Sequence, residues 1–155
     1  MTPSGTVLLV NSFDGRELYA DHLRANAIIV SDADTPERAL RNLETADPQV
    51  VVTDFVFVQS GFDGPGFLRA LRPRVDGATS IIVVSTFARQ ADREEARAAG
   101  ADLYLVKPAL PATLLYEVRR ALLLRRSGRR LSWNWRDATP APVRVAVERR
   151  QSRAS

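Results

Sequence analysis

Cysteine is absent from this sequence, so neither disulfides nor thiolate-bound metals can contribute to stability or chemistry. Histidine is almost absent. His22 is the only one, it falls on a helical stretch, and imidazole-based catalytic dyads therefore have no support. No apolar run approaches the roughly 18 residues a membrane-spanning helix needs. The opening "MTPSGTVLLV" has neither a basic n-region nor a long apolar h-region, so a signal peptide is not expected. These absences set a cytoplasmic protein as the expectation.

Charge of one sign is also missing, but only locally. Residues 125–155 carry nine arginines against Asp137 and Glu148, a net of +7, which leaves −3 on the remainder of a chain whose total is +4. A mildly acidic body thus precedes a basic tail, and the high isoelectric point belongs to the tail. With 155 residues, 45% of them hydrophobic, the chain suits one globular domain with a short appendage. The division read from composition is a domain over 1–124 and a tail over 125–155.

Five short apolar runs recur along the body: "TVLLV" (6–10), "AIIV" (27–30), "VVVT" (50–53), "SIIVV" (80–84) and "LYLV" (103–106). They are rich in Val, Ile and Leu without alternation, as in parallel strands covered on both faces. Helical stretches separate them. "DGRELYADHLRA" offers Asp14 as N-cap and places Leu18, Tyr19, His22 and Leu23 on one side. "TPERALRNLETA" has Thr35 as N-cap with Pro36 at the first helical position. "GPGFLRALR", "RQADREEARAAG" (ending at Gly100) and "PATLLYEVRRALLLRR" follow. Five β-α repeats predict a doubly wound (βα)5 α/β domain, an open parallel sheet of flavodoxin-like form. Ligands in that architecture bind beyond the carboxyl ends of the strands.

The third run contains an anomaly. Asp54 interrupts "DPQVVVTDFVFVQS" with no basic residue within six positions on either side. A carboxylate on a buried strand is costly unless something pairs with it. Asn11 and Ser12 follow strand one, Ser85 and Thr86 follow strand four, and Lys107-Pro108 follows strand five. The topology gathers these at one rim. A carboxylate can act as a nucleophile towards phosphorus, and a lysine with a hydroxyl can hold the phosphoryl oxygens.

At this point the sequence resembles the response-regulator receiver domains of two-component signalling, over residues 5 to about 124. The resemblance rests on Asp54 after strand three, Ser85 after strand four, and "GADLYLVKP" (100–108), whose Lys107 follows Ser85 by 22 positions. It implies that Asp54 accepts a phosphoryl group from a kinase histidine, that Lys107 contacts that group, and that the Ser85 hydroxyl moves towards it. Tyr104 matches the aromatic position that rotates in response, and Thr86 is a second switch candidate. The implied partners are a histidine kinase or phosphotransfer protein and a downstream protein. A homodimer is compatible with the sequence, and nucleic acid is not an expected partner.

Two departures from the family pattern shape the expectations. The family places a pair of acids after strand one that bind Mg²⁺ together with the phosphoacceptor; here Asn11 and Ser12 stand there. A weak or donor-dependent Mg²⁺ site at Asp54 is therefore expected. The loop after Asp54 is also longer, with Asp63-Gly64 nine and ten positions on and the usual proline gone, so mobility is expected of it.

Other readings of the same residues stay open. Asp54 and Lys107 could form a purely structural pair, Tyr104 could be plain packing, and Asn11 and Ser12 could satisfy backbone groups in their loop. A pseudo-receiver would keep the fold and signal without phosphorylation. A phosphotransfer enzyme of the haloacid-dehalogenase kind needs a second aspartate where Val56 stands. A flavin module lacks a phosphate-enclosing first loop. Gly61, Gly64 and Gly66 lack the Gly-Lys-Ser/Thr that a P-loop requires. In the tail, "LSWNW" and "VRVAV" alternate and "RDATPAP" could join them as a hairpin, the alternative being a disordered basic extension.

Overall fold

The structure is a computed structural model that describes residues 3–11, 15–87 and 89–137. The strands are β1 (Gly5–Val10), β2 (Ile28–Ala33), β3 (Val50–Thr53), β4 (Ser80–Ser85), β5 (Leu103–Val106) and β6 (Asn134–Asp137). The helices are α1 (Arg16–Ala25), α2 (Pro36–Ala46), α3 (Gly64–Leu71), α4 (Gln90–Ala98) and α5 (Pro111–Arg126), and a 3₁₀ turn at Arg72–Arg74 follows α3. All strand pairs are parallel, in the order β2-β1-β3-β4-β5-β6. This is the doubly wound α/β sheet that the periodicity predicted, with one strand more.

The order reverses direction between β1 and β3, which opens a crevice at their carboxyl ends. Side chains on one face of the sheet, among them Val7, Leu9, Val50, Val52, Ile82 and Leu105, pack under α1 and α5. Those on the other, among them Leu8, Val51, Ile81, Val83 and Tyr104, pack under α2, α3 and α4. The central strand β3 is buried along its whole length. Strand β2 behaves differently because it is an edge: it alternates, leaves Ile29 half exposed, and runs three residues past its apolar stretch.

Helix starts follow local chemistry. Thr35 accepts from the Arg38 amide and Asp63 from the Gly66 amide, each as an N-cap. The start of α1 is a correction. Its N-cap is Gly15, with φ 109°, and Asp14 lies outside the described residues. Leu18 also faces solvent rather than the core, because α1 buries only Tyr19, Ala20 and Leu23.

The sixth strand lies within the segment read as a tail. Strand β6 pairs in parallel with β5, matching Leu103 to Asn134 and Tyr104 to Trp135. The "VRVAV" half of the anticipated hairpin lies outside the described residues. What fixes β6 is Asp102, a buried carboxylate that accepts from Arg72 Nη1 at 3.1 Å, the Ile81 amide at 2.8 Å and Arg130 Nε at 2.8 Å. Its own carbonyl accepts from the Asn134 amide, and the Ser80 hydroxyl accepts from the Leu131 amide. Arg130, just past α5, thus turns the chain back onto the sheet edge. Removing the carboxylate takes from two guanidinium groups their shared counter-charge and leaves them only backbone carbonyls. Asp102→Ala is expected to destabilise the fold by about 3 kcal/mol, measured by urea denaturation, and Arg130→Ala to lose less because Arg72 keeps its partner.

Candidate functional site

Four strand ends meet beside Asp54, and backbone bonds lock them in place. The Asp54 amide donates to Val10 O at 2.9 Å, the Asn11 amide to Ala33 O at 3.1 Å, and the Lys107 amide to Ser85 O at 2.7 Å. Asp54 is buried. Its Oδ1 accepts from the Phe55 amide at 2.7 Å and, less closely, from the Val56 amide at 3.4 Å, while its Oδ2 accepts from Lys107 Nζ at 3.2 Å. One carboxylate oxygen is therefore held by the chain that follows it and the other by the ammonium from β5. The cost of burying the charge is met by hydrogen bonds to it.

A small opening of about 250 Å³ leads to this pair, lined by Asp54, Val56, Thr86, Phe87 and Lys107. Thr86 is exposed at its mouth. Ser85 is buried, and its hydroxyl accepts from the Phe87 amide at 3.2 Å. Tyr104 is fully buried, and its hydroxyl donates to Phe87 O at 2.6 Å. Burial pushes the Tyr104 phenol up to about 12, with the Asp92 and Asp54 charges acting in the same direction and its hydrogen bond with Ser85 opposing them. Ser85, Phe87 and Tyr104 so form one hydrogen-bonded unit at the β4–α4 loop. Asn11 is buried at the end of β1, and Ser12 lies outside the described residues.

Three residues at the site escaped the sequence reading. Arg16 donates to Asn11 O at 3.2 Å and stands 3.9 Å from Asp32. Tyr19 donates to Ala109 O at 2.8 Å, tying α1 to the segment just past Lys107; burial raises its phenol, and the Asp54 charge adds to the effect. Phe87 lines the opening. One signal in the sequence did mark Lys107. It is the only lysine among 22 basic residues, so a chain that uses arginine everywhere else keeps a compact ammonium here.

The long loop after Asp54 is tied down rather than loose. Glu37 on α2 accepts from the Ser60 hydroxyl at 2.7 Å and the Gly61 amide at 2.9 Å, and these bonds pull its carboxyl below the usual range. Gly64 lies so close to Phe55 that a side chain there would strike the Phe55 carbonyl, which explains glycine at the first position of α3.

A doubly wound sheet with an acid–lysine pair at its central strand ends defines the class. The family description "Response regulator receiver domain" matches residues 8–119. The chain belongs to the response-regulator receiver domains of two-component signalling. It is 32% identical over 133 residues, 86% of its length, to the transcriptional regulatory protein PrrA of Mycobacterium leprae, and spans only 55% of that relative. Among solved structures it resembles the chemotaxis protein CheY4 of Vibrio cholerae, with TM-score 0.69, 27% identity, and coverage of 76% of this chain and 98% of that one. A LuxR-family two-component response regulator from Aurantimonas matches 97% of this chain and 99% of its own, with TM-score 0.69 and 26% identity. Receiver domains are signalling modules that interact with histidine kinases or phosphotransfer proteins. No helix among the described residues is long and apolar enough to cross a membrane.

The Tyr104 phenol supplies a pH prediction. Its proton is held more tightly in the folded protein than at its ordinary value of 10.0, so its contribution to stability is intact below that pH. The contribution is lost as pH rises towards about 12. Denaturation midpoints followed across this alkaline window should fall in the native chain and fall less in Tyr104→Phe.

Proposed function

We propose that this receiver domain accepts a phosphoryl group on Asp54 and passes the signal on by protein–protein contact. The observation that carries the reading is the Asp54–Lys107 pair, buried among strand ends yet reached through its own opening. The donor is a phosphohistidine on a kinase or phosphotransfer protein. Asp54 Oδ2, the oxygen that faces Lys107 Nζ, attacks phosphorus, the O–P bond forms as the P–N bond breaks, and the imidazole leaves with a proton. Lys107 Nζ stabilises the equatorial oxygens as charge builds, a role suited to a point charge. The Ser85 hydroxyl supplies a second donor once it leaves the Phe87 amide.

The residues present fit Mg²⁺ only in part. No group of three or more His, Cys, Asp or Glu stands together among the described residues. Asp54 is one carboxylate and Asn11 a neutral neighbour, whereas Mg²⁺ is usually held by one or two carboxylates plus substrate phosphates. Asp54 with the donor's own oxygens would hold the ion, whose chemistry is to neutralise charge on the transferring group. Binding therefore depends on the donor. The neutral Asn11 also favours a second reading, in which the Asp54–Lys107 pair is permanent and the domain works as a phosphorylation-independent adaptor.

Incubation with a small phosphodonor such as acetyl phosphate separates the two. The intact mass should rise by one phosphoryl group in the native chain and stay unchanged in Asp54→Asn; an undiminished rise in that variant would place the phosphoryl group elsewhere. Asn11→Asp with Ser12→Asp should raise both Mg²⁺ affinity and the phosphorylation rate. No mass rise even in that double variant supports the adaptor reading.

A further inference from the structure

Both tryptophans of the chain lie at β6, Trp135 within the strand and Trp133 just before it, and α4 is built to hold them. The Arg93 guanidinium stands 3.6 Å from the Trp135 ring centroid, and that of Arg97 stands 5.9 Å from the Trp133 ring. Residues 93 and 97 are one helical turn apart, about 6 Å of rise, and residues 133 and 135 are two strand positions apart, about 6.6 Å. The two spacings match, so the cations of α4 and the rings of the β6 segment meet in two successive rungs. Trp133 packs against the same face of the core as Tyr104, and Tyr104 is the register partner of Trp135.

These contacts adjoin the site. The Asp54 charge acts on Tyr104, Tyr104 and Ser85 both bond to Phe87, and α4, which begins three residues on, carries Arg93 to Trp135. Trp135 is 44% exposed, and the outer edge of β6 has no partner strand among the described residues. The strand is therefore held by few groups: the Asp102–Arg130 clasp at its beginning, four register pairs, and the two cation–aromatic rungs. A short, half-exposed edge element of this kind sits at the low-stability end of a fold.

We propose that β6 is a displaceable internal cover of the β5 edge, and that phosphorylation of Asp54 loosens it. The proposal rests on the phosphoacceptor reading of Asp54 for its trigger. When Ser85 turns its hydroxyl to a phosphoryl oxygen, the Phe87 amide loses its acceptor and Tyr104 loses one of its two hydroxyl partners. The β4–α4 loop moves with Ser85 and draws the first turn of α4, with Arg93, away from Trp135. The rung nearest the site opens first. The β5 edge and the inner face of α4 are then uncovered.

The two tryptophans are the only ones in the chain, so its intrinsic emission reports on this segment alone. Full-length protein would be titrated with beryllium fluoride and Mg²⁺, a phosphoryl mimic that binds carboxylates, while emission and acrylamide quenching are followed. The account expects a red shift and stronger quenching in the native chain, and neither in Asp54→Asn. Because coupling between linked sites is reciprocal, Arg93→Ala, which removes the cation under the Trp135 ring, should bind the mimic on the order of fivefold more tightly. Bound mimic with unchanged or weaker quenching overturns the proposal, as does unaltered affinity in Arg93→Ala. If the mimic does not bind, the phosphoacceptor reading fails separately, and the coupling is decided without it. Ser85→Ala and Tyr104→Phe each remove a bond of the Phe87 loop and should each raise tryptophan quenching in the unmodified protein; no change in either overturns it.

Discussion

A carboxylate buried at the mouth of the central strand must be paired, and the pairing of Asp54 with Lys107 organises everything around it. The two residues lie 53 positions apart, on strands separated by β4. The aligned ends of these parallel strands bring them within 3.2 Å, so the pair depends on the register of β3, β4 and β5. The backbone bonds from Asp54 to β1 and from Lys107 to Ser85 fix that alignment. Breaking such a pair by removing one partner leaves an uncompensated charge, which is costly. The phosphorylation proposed above would disturb the same balance without removing the charge.

The groups near Asp54 are not independent. Ser85 and Tyr104 both bond to Phe87, and Phe87 walls the opening that leads to Asp54. On the far side of the loop, α4 meets the β6 segment through Arg93 and Arg97. A five-stranded sheet would leave the β5 edge bare. Here the chain's own continuation fills it, anchored by Asp102.

Much of this was legible in the sequence, and the misses have physical causes. The interior strands announced themselves because residues such as Val50, Val51 and Val52 are buried on both faces, which admits no polar alternation. Strand β2 was read short because an edge strand tolerates Ser31 and Asp32. The members of the site at strand ends were readable, since topology alone places them. Arg16 and Tyr19 were not, because their roles depend on side-chain reach to Asn11 and across 90 residues to Ala109. The pairing of β6 was hidden for the same reason: "NWRD" has no apolar run, and its position depends on Arg130 finding Asp102. The loop after Asp54 looked mobile by length, while its restraint comes from Glu37 on another element.

Asp54 is the group proposed to be modified. The most direct test is chemical trapping: acyl phosphate formed from a phosphodonor is reduced with borohydride, which converts a phosphorylated aspartate to homoserine, and the site is read by peptide mass mapping. Homoserine is expected at position 54, dependent on donor. Homoserine at any other aspartate, or none at position 54 in a protein whose mass shows it phosphorylated, would contradict it.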